Sequence, residues 1–69
     1  MTFIAFATFE THEPIKLYTD GTDIQAKCKN VERWFTLWKH DKTGAIHHAI
    51  KSMIDQELHT DETPQIQVI

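Results

Sequence analysis

The residues whose types could do chemistry include five histidines, one cysteine and scattered Asp, Thr and Lys. His47 and His48 are adjacent, and successive residues on a helix diverge by about 100°, so the two cannot share a metal ion from one helix face. His12, His40 and His59 show no paired-ligand spacing either. A solvated face or loop is the expectation for all five, with no metal and no cofactor. A hydrolytic triad drawn from His, Asp and Thr or Cys28 would rest on common residues alone. Cys28 falls on an apolar alternation, where a buried thiol is inert. Asp41-Lys42-Thr43-Gly44 lacks the leading glycines and the Gly-Lys-Thr order of a phosphate loop. No catalytic residue is expected, and the chain reads as a non-enzyme.

What remains is a set of aromatics interleaved with lysines, on a chain of 69 residues and net charge -3. Hydrophobic residues at 41% and charged residues at 25% give a globular balance. A domain this small buries only roughly 60% of its unfolded surface, so its core is thin and invites a supplement. A lone cysteine excludes an internal disulfide and fits a reducing cytoplasm. Met1 to Ala7 is apolar, but it has no basic flank and reaches Glu10 too soon to span a bilayer. Neither signal peptide nor anchor is expected. The net charge weighs against a dedicated nucleic-acid binder, although a local patch can oppose the overall sign. There is no repeat, low-complexity run or linker, so residues 1–69 read as one domain.

The elements that must position the aromatics follow from periodicity. Residues 2–9 are rich in aromatic and β-favouring types, with both alternating sets largely apolar, as in an interior strand. Thr11-His12-Glu13-Pro14 breaks the run. Ile15 to Cys28 then reads as a hairpin turning at Asp20-Gly21, with strands at 15–19 and 22–29. A two-residue loop there sets Thr19 opposite Thr22 and Leu17 opposite Ile24. Ile15, Leu17, Ile24, Ala26 and Cys28 share one side, and Lys16, Tyr18, Gln25 and Lys27 the other. A turn around residues 30–33 leads to a strand at 34–39, with Lys29 facing Trp34, Cys28 facing Phe35 and Ala26 facing Leu37. Ile24, Cys28, Val31, Phe35 and Trp38 also recur at helical spacing, so residues 23–40 could instead form a helix.

Beyond residue 43 the period changes. Ile46, Ala49, Ile50, Met53 and Ile54 form one stripe of a helix at about 44–58, which Asp41 or Thr43 can cap. Gln65-Ile66-Gln67-Val68-Ile69 alternates enough for an edge-added fifth strand or an ordered tail. The expected fold is therefore α+β: a four-stranded antiparallel meander, one helix packed across its apolar side, and a short C-terminal strand. Its other face carries Ile4, Phe6, Lys16, Tyr18, Gln25, Lys27, Lys29, Trp34, Thr36 and Trp38. Exposed aromatics among lysines suit a protein-binding surface. The same types can stack single-stranded nucleic acid, and the tail or a second copy of the chain could simply cover the face.

The chain also resembles a family, the small phage-encoded type I-F anti-CRISPR inhibitors built from a four-stranded meander and helices. The likeness runs through Phe3-Ile4-Ala5-Phe6, Ile15-Lys16-Leu17-Tyr18 with Gly21-Thr22, Ile24 to Cys28, Asn30-Val31 and, more weakly, Asp41-Lys42-Thr43. It covers about the first two thirds. The resemblance implies a phage or prophage protein that acts in the host cytoplasm. It would bind the repeated backbone subunit of a type I CRISPR surveillance complex and block target DNA recognition. The family's two exposed aromatic contact positions match Phe6 and Tyr18, and its acidic contact falls on Lys29. Its second helix is replaced by a polar loop and residues 65–69. The expected partner site is Phe6, Tyr18, Lys27, Lys29, Trp34 and Trp38. A single-stranded nucleic-acid module and a structural homodimer are the alternatives.

Overall fold

The structure, a computed structural model, describes residues 1–37 and 40–69. Five strands form one antiparallel sheet: β1 Thr2–Thr8, β2 Ile15–Thr19, β3 Asp23–Cys28, β4 Val31–Thr36 and β5 Gln65–Val68. Their spatial order is β4-β3-β2-β1-β5. The first four make a meander, and β5 returns to pair with β1, which thereby becomes an interior strand. The α+β architecture and the added fifth strand follow the sequence pattern. A helix over residues 23–40 is ruled out, because residues 23–28 and 31–36 pair with each other as β3 and β4.

One helix, α1 Lys42–Met53, crosses the sheet over β2, β3 and β4. Asp41 caps it, its side chain accepting the Gly44 N–H at 2.6 Å. The apolar stripe Ala45, Ile46, Ala49, Ile50 and Met53 is buried against Ile15, Leu17, Ile24, Ala26 and Cys28. Burying each Leu or Ile in such a contact stabilises the fold by about 1.5–3 kcal/mol. A single π-helical turn, Ile54–Leu58, continues α1 and ends at His59, whose φ of 51° is left-handed. Arg33 on β4 makes an ion pair with Glu57 of that turn and ties the sheet edge to the helix end. Among the described residues no helix is long and apolar enough to cross a membrane.

Two registers differ from the simplest reading of the turns. Thr19 pairs with Ile24 and Leu17 with Ala26, so the Asp20-Gly21 turn is a four-residue loop and not a two-residue one. Side-chain bonding explains the wider loop. Asp20 Oδ1 accepts the N–H groups of Thr22 (2.8 Å) and Asp23 (2.9 Å), and the Thr19 hydroxyl donates to the Asp23 carbonyl (2.8 Å). These local bonds compete successfully with two further ladder positions. Gly21 alone supplies positive φ there, at 96°.

The second turn comes earlier in the chain than expected. Cys28 pairs with Val31 and Gln25 with Trp34, so the connection is Lys29-Asn30 and β4 begins at Val31. Lys29 takes φ 53° and therefore sits in the turn, not opposite Trp34. Cys28 is likewise opposite Val31 and not Phe35, and Ala26 is opposite Arg33 and not Leu37. Both slips are by an even number of positions. Because side chains alternate with a period of two, every residue of these strands keeps its predicted face.

Candidate protein-docking face

The face away from α1 is built in two cross-strand rows. Phe3, Tyr18, Gln25 and Trp34 lie opposite one another across β1 to β4. Gln67, Phe6, Lys16, Lys27 and Glu32 form the neighbouring row across all five strands. The β1 register makes this possible. Phe3 pairs with Tyr18 but Ala5 pairs with Leu17, so Ile4 is the extra residue of a β-bulge. The bulge puts Phe3 and Phe6, which strict alternation would send to opposite faces, on the same side.

This corrects the expectation for Ile4, which is 6% exposed and belongs to the core. Phe3, 36% exposed, takes the outward place instead. Its ring stacks on Phe6 with centroids 6.0 Å apart and tilts against Tyr18 at 5.3 Å. Contacts of this geometry contribute about 0.5–1.5 kcal/mol beyond area burial. Three aromatics thus form one cluster that is only half covered. A signal for Phe3 was present in the sequence only as an aromatic one residue out of phase.

The remaining predicted residues surround this cluster. Lys27 is half-buried, its Nζ 5.5 Å from the centre of the Tyr18 ring and 3.5 Å from Glu32 Oε1. The cation therefore screens one flank of the tyrosine while remaining paired. Lys29 is exposed and lines a shallow depression with Glu13, Pro14, Lys16, Tyr18 and Lys27. Trp34 is 52% exposed at the β4 end of its row. Between Tyr18 and Trp34, Gln25 is buried and donates to Glu32 Oε2 at 3.4 Å. Trp38 lies outside the described residues. The tail does not cover this face, since β5 extends the sheet in plane beside β1.

Glu62 joins two loops of the chain. Glu62 accepts the N–H groups of Glu10 (2.9 Å) and Thr11 (3.3 Å), bonds the Thr11 hydroxyl, and stands 3.3 Å from His12 Nε2. It fastens the loop after β1 to the segment before β5. The Thr11 hydroxyl above all, with the two N–H groups, holds the Glu62 carboxyl below its ordinary range. His40 and His48 stack at 5.0 Å, and Phe35 meets His48 edge-on. Among the described residues no three His, Cys, Asp or Glu side chains converge as metal ligands would.

Cys28 is 4% exposed, at a cleft of about 280 Å³ that Thr11, His12, Glu13, Leu58 and others line. Its thiol lies 3.6 Å from the Glu13 carbonyl. Burial pushes the thiol up from its ordinary value, against the opposing pull of Lys29. No protein-family model, curated protein or solved structure matches the chain.

Proposed function

We propose that the chain is a non-enzymatic inhibitor that docks the Phe3, Phe6, Tyr18 face on a host protein. The observation that carries this is the half-covered aromatic cluster on the helix-free side, rimmed by Lys16, Lys27 and Lys29. Interface hot spots are few, central and aromatic, with neighbours that exclude water. The family resemblance supplies the partner class: the repeated backbone subunit of a type I CRISPR surveillance complex, whose recognition of target DNA would be blocked. Phe6 and Tyr18 are the anchors on that reading, and Phe3 joins them through the bulge. Phage or prophage origin and action in the host cytoplasm belong to the same proposal.

The experiment is to recover the tagged full chain from host cells that carry a type I surveillance complex and to identify what it retains. Retention of the backbone subunit, with loss of target DNA binding by that complex, supports the proposal. An intact, active complex in the presence of excess chain contradicts it.

A second reading, a single-stranded nucleic-acid module, draws on exposed Trp34 beside lysines. It is the weaker one. Lys27 is already paired with Glu32, a carboxylate beside Trp34 on β4 that would repel phosphate there.

A further inference from the structure

The sheet ends at β5 in an edge that is self-complementary. The Ile69 N–H donates to the Ile4 carbonyl at 2.9 Å, which makes Ala5 and Val68 a non-hydrogen-bonded pair. Antiparallel geometry then turns the N–H and C=O groups of Gln65, Gln67 and Ile69 toward β1. Those of Ile66 and Val68 point away from the sheet. Edges of this kind are ordinarily protected by charge, proline or a bulge. The opposite edge, β4, carries Glu32 and Arg33, whereas residues 65–69 have no charged side chain and no Pro or Gly. Val68 is 47% exposed.

We propose that β5 pairs with β5 of a second copy of this chain, antiparallel about a two-fold axis at Gln67, to make one sheet that is continuous across both copies. In that register Ile66 exchanges both backbone bonds with Val68 of the second copy, and the reciprocal pair repeats them. Every outward group of β5 is then satisfied. On the helix side, Ile66 and Val68 cover each other across the axis. On the other side Gln67, the neighbour of Phe6, meets its symmetry mate, where the two amides can bond.

An axis perpendicular to the sheet keeps both aromatic clusters on one side. The dimer would present two docking sites to a partner whose subunit repeats, and so gain from avidity without any new contact. So short a strand buries less than the roughly 1,200–2,000 Å² of a stable interface, so the dimer is weak and depends on concentration.

The test is sedimentation velocity of the full chain from about 5 to about 500 μM, with amide exchange at both ends of that range. Mass should rise from 8.1 kDa toward twice that value. The Ile66 and Val68 amides should gain protection with concentration, whereas that of Gln67 should be protected throughout. Val68→Pro removes an outward N–H and leaves the β1 ladder intact. Gln67→Lys sets like charges opposite each other at the axis. Each should weaken the dimer at least about tenfold. If Val68→Pro does not fold, Gln67→Lys still decides the matter. A monomer across the whole range would overturn the proposal and leave this edge to an extended strand of another protein. So would a dimer that Gln67→Lys leaves intact.

Discussion

Phe3 and Phe6, three positions apart on one strand, stack on the same face of the sheet with their ring planes 11° apart. A regular strand cannot do this, since its side chains alternate. The extra residue Ile4 accounts for it, and the consequence is that Phe3 joins Phe6 on the side that carries Tyr18.

The bulge makes a stability prediction opposite to that of regular alternation. Ile4→Ala should cost about 2–4 kcal/mol, because Ile4 is core, while Phe3→Ala should cost under about 1.5 kcal/mol. Denaturant unfolding of the two variants checks this. The reverse order would mean that β1 is regular.

Gly21 should resist substitution for backbone reasons alone. A Cβ there meets nothing within 4 Å, but φ is 96°. Gly21→Val should therefore destabilise by roughly 1–2 kcal/mol through strain, measured by thermal or denaturant unfolding. Lys29 is the converse case, a non-glycine at φ 53°, and Lys29→Gly should stabilise the fold by up to about 1 kcal/mol.

How much of this was legible in the sequence follows from parity. The strands, the helix and the sidedness of Leu17, Tyr18, Lys27 and Phe35 were readable because hydrophobic alternation survives any even slip. Loop lengths were not. Asp20 and Thr19 satisfy backbone groups with side-chain oxygens, and nothing in the alternation reports that competition. The place of Phe3 was hidden for a related reason: a bulge leaves no mark when both neighbouring positions, Phe3 and Ile4, are apolar. The capping role of Asp41 was visible, whereas the Glu62 clamp joins residues about fifty positions apart and carries no local signature.

The Glu62 clamp makes stability depend on pH. Its carboxyl is held below an ordinary value of 4.5, so the folded state binds its proton less readily than the unfolded state does. Its contribution is fully present above about pH 4.5 and is lost as pH falls through the lower folded value. Glu62→Gln should lower the melting temperature at pH 7 and flatten its decline below pH 4.5. Parallel melting curves for the two proteins from neutral pH downward would contradict the clamp.

Under the proposed docking, Lys29 reports on the partner's charge. On a partner surface rich in carboxylates, Lys29→Glu should slow association and reduce its salt dependence, whereas on a basic surface the same change should speed it. Stopped-flow or surface-based association rates at two ionic strengths distinguish them. For single-stranded DNA or RNA the proposal predicts no measurable affinity at low salt, and steeply salt-dependent binding would favour the nucleic-acid module instead.

The proposed docking is tested most directly by comparing inhibition with thermal stability for Phe6→Ala, Tyr18→Ala and Leu17→Ala. Phe6 and Tyr18 are half-exposed on the outer rows, and each truncation should weaken the partner complex by about 1–3 kcal/mol while the fold largely survives. Leu17 is fully buried beneath α1, and its truncation should lower stability by roughly 2–5 kcal/mol, with inhibition falling only as far as folded protein is lost. If activity instead follows stability in all three variants, with Phe6 and Tyr18 no different from Leu17, this face does not dock a partner.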